Sequence, residues 1–337
     1  MVHYLQLQAR GVLKRPFEVP SLNALILPTV RMGRQNARVS AVIQAVPAQF
    51  KEEAKEATRR NFSRFCALLT LATGECFEPY RSTLGRTPLK QFVEHANPVP
   101  SDVYPRGKYK TDLVGEDESV WNRLKLLSDH YSLLDSTLQS KLDDSIFAYH
   151  TAKELLKEFP TVATVALIAS LKSFRQIAKC EGSITCANCG VLDFHHHTKG
   201  EALSIADRLC EDFGLGAGDE RRIELQKLVK HVYRAHRSEY VHDAILRHGE
   251  FETQLPDHLP EEKAAISERL TRHNQLMTME LLTRRALLQH ITNLAGKQFD
   301  AAAYGIEPNK FKLEVGSTAR FVVGSNYWVG MRVMGGF

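Results

Sequence analysis

The sequence predicts an α+β fold: a mainly α-helical bundle preceded by a smaller β-containing N-terminal region. Three observations carry that expectation. Short apolar runs broken by Pro and Gly fill residues 1–50, helical periodicity dominates from about Ser119 to Gly296, and the segment TVATVALIASL is apolar nearly all round. The first pattern is that of strands joined by turns, the second that of amphipathic helices, and the third that of a helix buried at the centre of a bundle.

The strands are expected in YLQLQA, ALILPTV and VSAVIQAV. From Gln49 the pattern changes to FKEEAKEATRRNFSRFCALLTLATG, where Phe62, Phe65, Leu69 and Ala72 recur at helical spacing and Gly74 offers a C-terminal stop. Between Glu75 and Glu118 the chain is rich in Pro, Gly and polar residues and has no sustained period, so it reads as a long loop. Helical spacing returns at Ser119. Asp143 and Asp144 are the expected start of the next helix, SIFAYHTAKELLKEF, and Pro160 opens the apolar one.

Further on, Leu203, Ala206, Cys210 and Phe213 share one helix face in EALSIADRLCEDF. In DERRIELQKLVKHVYRAHRSEY an apolar stripe of Leu225, Leu228, Val229 and Val232 runs beside a basic one of Lys227, Lys230, Arg234 and Arg237. A long helix from Pro260 to Gly296 is expected from Ile266, Leu270, Met277, Leu281, Leu288 and Ile291, which recur at helical spacing, and the C-terminal stretch looks like strand or extended structure. The expected organisation is therefore residues 1–118 as the β-containing region with one long helix and a linker, 119–297 as the bundle with a Cys/His-rich insert at 180–200, and 298–337 as an extended tail.

Composition narrows the class. The chain has 337 residues and a formal net charge of +5, which permits a polyanionic partner without demanding one. No run approaches the roughly 18 consecutive apolar residues of a membrane span, and MVHYLQLQARGVLKRP lacks the apolar core of a secretory signal, so the expectation is a cytoplasmic protein with no membrane partner. Six cysteines over this length, without an export signal, read as reduced thiols or metal ligands rather than a disulfide framework. There is no Walker loop, no G-x-G-x-x-G after a strand, no G-x-S-x-G elbow and no H-E-x-x-H; GLGAGDE, from Gly214, follows a helix and is in the wrong context for a phosphate loop.

An arginine followed five positions later by a histidine occurs at Arg237/His242 and again at Arg285/His290. Residues five apart on an ideal helix point about 140° away from each other, so convergence needs a helix start or a break. Arg285 and His290 sit inside an uninterrupted helical pattern and read as incidental.

The first pair belongs to a longer string. Tyr233, Arg237, Ser238, Val241 and His242, in the order Y-x3-R-S-x2-V-H, resemble the signature of the HEPN superfamily and specifically its Apea-like branch, and the apolar TVATVALIASL segment lies ahead of them as it does in that family. The resemblance covers roughly residues 143–296, and more loosely the helix ending FSRFCALLTLATG. Asp243 and Ala244 follow His242 where a glycine is usual, and VALIASLKSF lacks the acidic residue often found there.

This resemblance implies an all-helical HEPN-like bundle and a metal-independent endoribonuclease, or a descendant that kept the fold and lost the activity. His242 would act as general base or acid, Arg237 would hold the scissile phosphate and Ser238 would orient them. The products would be a 2′,3′-cyclic phosphate and a 5′-hydroxyl, with no cofactor for catalysis. Such chemistry suits a group that titrates near neutrality beside one that stays charged. The resemblance also implies a homodimer whose two motifs line one cleft and a place in defence against invading elements; separately, the basic stripe of Lys227, Lys230 and Arg234 is read as contacting RNA, with a solvated face as the competing reading.

The insert KCEGSITCANCGVLDFHHHTKG holds Cys180, Cys186 and Cys189, then His195, His196 and His197. A Cys-x2-Cys followed by Gly is the shape of a zinc knuckle, since a tight turn brings both thiolates to one metal at about 2.3 Å. Cys180 and one of the histidines, taken as His196, would complete a structural zinc site; Cys210 is a further candidate if its helix folds back. The competing reading is a reduced loop with surface histidines. Two other functions stand beside the nuclease: a non-catalytic HEPN-like module that binds RNA or a partner protein, and a zinc-stabilised regulatory protein whose partner docks on the N-terminal β region.

Overall fold

The structure is a computed structural model that describes residues 2–8, 13, 15–32, 37–45, 51–77, 97–98, 118–156, 159–171, 183–185, 192–194, 201–232 and 260–306. Its first strands are β1 (Val2–Gln8), β2 (Phe17–Val19), β3 (Ala24–Ile26), β4 (Val30–Met32) and β5 (Ala37–Ala45). β5 is the spine. One of its edges takes the whole of β1 antiparallel, from Val2 opposite Ala45 to Gln8 opposite Val39; the other takes β3 and β4 in tandem, with Ile26 opposite Val42 and Val30 opposite Val39. β2 extends the sheet beyond β3, and β6 (Asn97–Pro98) extends it beyond β4. The stretch expected as loop between Glu75 and Glu118 therefore contributes one short strand.

This register puts apolar side chains into rows across the sheet. Leu5 and Ile26 both face Val42 from its two sides, and all three are buried. Burying a side chain of this size is worth about 1.5–3 kcal/mol. Polar groups on the same layer are satisfied locally: the Leu13 N–H donates to Thr29 Oγ1 at 2.8 Å, and Thr29 Oγ1 lies 3.0 Å from Ser40 Oγ. A single 3-10 turn, Pro20–Leu22, joins β2 to β3 and ends on Asn23 in the left-handed region, where an Asn side chain is tolerated.

α1 (Lys51–Thr73) buries Phe62, Phe65, Leu69 and Ala72, the residues whose spacing predicts it. It stops where expected: Gly74 takes φ +79° and its N–H donates to the Thr70 carbonyl at 2.8 Å. α2 (Glu118–Ser132) follows, then α3 (Ser136–Leu155). α3 does not begin at Asp143 and Asp144. Its N-terminus is capped by Asp135, whose Oδ1 accepts the N–H groups of Thr137 and Leu138, both at 2.9 Å. Asp143 lies within the helix and is buried, because its carboxylate answers side chains on α1 and α2 rather than the helix end.

α4 (Pro160–Ser170) opens on its proline and has no exposed residue, in keeping with a sequence apolar nearly all round. Two of its hydroxyls are buried without needing water: Thr164 donates to the Pro160 carbonyl at 2.9 Å and Ser170 to the Leu167 carbonyl at 2.6 Å. The strands β7 (Ser183–Thr185) and β8 (Leu192–Phe194) then pair antiparallel, followed by α5 (Glu201–Asp212), α6 (Glu220–Val232) and α7 (Pro260–Leu294). Among the described residues no helix is long and apolar enough to cross a membrane.

Burial on α7 departs from the expected stripe. Leu288 and Ile291 are buried, but Met277 and Leu281 are half-exposed, whereas Glu280, Thr283 and Arg284 are buried beside Leu276, Met279 and Leu282. A helix covered on most sides has no single apolar face for the sequence to show. The side chains of Ile266 and Leu270 lie outside the described residues.

The described residues fall into two compact units: those up to 153 with 288–306, and those between 154 and 287. The expected division at residue 118 differs from this one, since α2 and nearly all of α3 share a unit with the sheet. α7 starts in the second unit and ends in the first. Beyond it, residues 298–306 are not extended: a 3-10 turn at Ala302–Tyr304 closes on Gly305 at φ +68°, Tyr304 and Ile306 are buried, and the rings of Phe299 and Tyr304 stack 5.9 Å apart. The rest of the expected tail lies outside the described residues.

Candidate functional site

In the second unit the residues that lead to the Arg/His motif are held by the turn between α5 and α6. α5 ends with the Leu215 N–H donating to the Cys210 carbonyl at 2.8 Å and Gly214 at φ +68°, a left-handed cap. Asp219 then starts α6: its Oδ1 accepts the Arg221 N–H at 2.9 Å, and the same carboxylate is gripped by the Arg221 guanidinium. Those hydrogen bonds hold the Asp219 carboxyl below its ordinary range. Deeper in the turn, Asp207 on α5 accepts from Arg222 Nη2 at 2.9 Å and from Gln226 Nε2 at 2.8 Å, and Arg222 Nη1 also donates to the Leu215 carbonyl at 3.3 Å. Two helices are thereby tied through one carboxylate.

α6 presents two faces, as its sequence predicts. Leu225, Leu228, Val229 and Val232 are at most 2% exposed, while Lys227 and Lys230 are exposed. Lys227 Nζ lies 3.2 Å from Glu224 Oε1. Arg221, Arg222 and Lys227 thus each have a carboxylate partner, on Asp219, Asp207 and Glu224. The Arg221–Asp219 and Lys227–Glu224 pairs are surface pairs that contribute little to stability, whereas Arg222–Asp207 is part-buried. Of the expected RNA contacts, the structure places Lys227 and Lys230 on one exposed face. Arg234, and the motif residues Arg237, Ser238 and His242, lie outside the described residues, beginning just after the end of α6.

The other Arg/His pair has the geometry of an incidental match. α7 runs unbroken from Pro260 to Leu294, so Arg285 and His290 diverge by about 140°. The Arg285 guanidinium sits 4.6 Å from the Phe213 ring centroid, and burial lowers its pKa.

The insert carries the β7–β8 ladder, with Ser183 opposite Phe194 and Thr185 opposite Leu192. Cys186 directly follows Thr185 and Cys189 falls in the 186–191 segment that joins the strands, whereas Cys180 precedes Ser183 and His196 follows Phe194. Cys180, Cys186, Cys189 and His196 themselves lie outside the described residues. Cys210 is buried, its Sγ donates to the Arg222 carbonyl at 3.9 Å, and burial raises its pKa. Among the described residues no group of three or more His, Cys, Asp or Glu could hold a metal ion.

The first unit holds polar centres that no motif announces. Arg64 on α1 meets Asp143 on α3 with Nε at 3.2 Å from both carboxylate oxygens, Nη2 also bonds to the same group, and Tyr131 on α2 donates its hydroxyl to Asp143 Oδ1 at 2.6 Å. Burial, and then the hydrogen bond to Asp143, pushes the Tyr131 phenol well above its ordinary value. Further along, Thr70 Oγ1 lies 2.9 Å from His150 Nδ1. The pairs 64–143 and 70–150 have nearly equal offsets, so α1 and α3 run side by side in the same direction. His130 on α2 forms a third centre, with Nδ1 at 3.2 Å from Thr292 Oγ1 and 3.5 Å from the Tyr304 hydroxyl. Only the spacing of polar residues within otherwise apolar helices could have hinted at these.

No family model, curated protein or solved structure matches this chain.

Proposed function

We propose that the second unit carries a metal-independent endoribonuclease centre on Arg237, Ser238 and His242, in a cytoplasmic protein that acts on RNA in defence against invading elements. The observation that supports this reading best is α6. It is an amphipathic helix that buries Leu225, Leu228, Val229 and Val232 and turns Lys227 and Lys230 outward, and it leads directly into the HEPN-like string Y-x3-R-S-x2-V-H. The buried α4 ahead of it fits the same bundle.

In the proposed step His242 takes the proton of the ribose 2′-hydroxyl, and the oxygen attacks the adjacent phosphorus while Arg237 neutralises the growing charge. The 5′-oxygen leaves with a proton from a second acid, leaving a 2′,3′-cyclic phosphate and a 5′-hydroxyl. One histidine cannot serve both transfers at once, so a second copy of the motif, brought by a homodimer, completes the site. Lys227, Lys230 and Arg234 would approach the phosphates.

The test is cleavage of a mixed single-stranded and structured RNA pool in EDTA. Activity that yields cyclic phosphate ends and is lost in His242→Ala and Arg237→Ala, but kept in His290→Ala, is the expected result. Salt-dependent retention of RNA without any cleavage would overturn it in favour of a non-catalytic binding module. A structural zinc on Cys186 and Cys189, completed by Cys180 and His196, belongs to the same proposal. Metal analysis of the purified chain should find zinc that Cys186→Ser and Cys189→Ser abolish and Cys210→Ser leaves in place; a metal-free wild-type chain would remove that part.

A further inference from the structure

We draw no further inference here: the strongest candidate, the exposed stripe of Ile223, Lys227 and Lys230 along α6 in the second unit, belongs to the RNA-facing surface already proposed, and one exposed isoleucine beside it does not say what else would cover it.

Discussion

Arg64 in the first unit and Arg221 in the second both grip an aspartate, and the two pairs do opposite things. Asp143 is 13% exposed in its side chain and joins its own helix to two others, through Arg64 and Tyr131. Asp219 answers Arg221, two residues along the chain, at a helix start open to water. The first pair is an internal brace that cannot be removed cheaply, because the part-buried Arg64 would lose its carboxylate and the Tyr131 hydroxyl would keep only the Gln139 carbonyl at 3.3 Å. The second is a local cap whose charges remain available. Among the described residues, the exposed cations Arg221, Lys227 and Lys230 lie on the helix that precedes Tyr233 in sequence.

That contrast can be broken most directly by exchanging the readouts. His242→Ala should lower RNA cleavage by about 10²–10⁴-fold, the usual contribution of a general acid or base, and leave urea unfolding unchanged. Asp143→Ala should do the reverse to stability, costing about 2–4 kcal/mol in the free energy of urea unfolding, below the full cost of breaking a buried pair because Arg64 is 34% exposed. If Asp143→Ala instead left stability untouched and abolished cleavage, the brace would have to be counted as part of the site.

A pH series sharpens the first unit alone. Burial, and then Lys297, lowers the pKa of His130, with Asp129 opposing. The unfolded chain then binds the proton more readily than the folded one. The stability contributed is present above the unfolded value of about 6.5 and is lost as pH falls through the folded value. The thermal midpoint should drop between pH 8 and pH 5, and His130→Gln should flatten that part of the curve; an equal slope in both proteins would assign the effect elsewhere.

The smallest effects belong to α6. Lys230→Ala should change stability by under about 0.5 kcal/mol, yet make the salt dependence of single-stranded RNA binding shallower by about 0.7 in log–log slope, the share of a single neutralised phosphate. Glu224→Gln, which frees Lys227 from its 3.2 Å partner, should tighten binding modestly. A salt slope unmoved by either change would take this face out of the RNA interface.

Much of the fold is legible residue by residue. Phe62, Phe65, Leu69 and Ala72 spell α1 and Gly74 ends it; Leu225, Leu228, Val229 and Val232 spell the inner face of α6. Both are short-range statements about one period and one cap. The misreadings arise where a polar residue takes a distant partner. Asp143 looks like a helix start because an acidic pair before an apolar run usually is one, and the true cap, Asp135 in DST, is equally good locally. Of the candidate site, Lys227 and Lys230 are legible as an exposed basic face, whereas the motif string carries meaning only through resemblance.

The sequence by itself determined where most helices and strands fall, which α6 residues turn inward, and which residue types could support acid–base chemistry on RNA, because those depend on periodicity and side-chain pKa. Only the tertiary structure decided that α2 and most of α3 share a unit with the sheet, that Asp143 braces three helices, and that Glu280 and Arg284 are buried on α7. Each of these turns on contacts between residues far apart in the chain, whose partners no local pattern encodes.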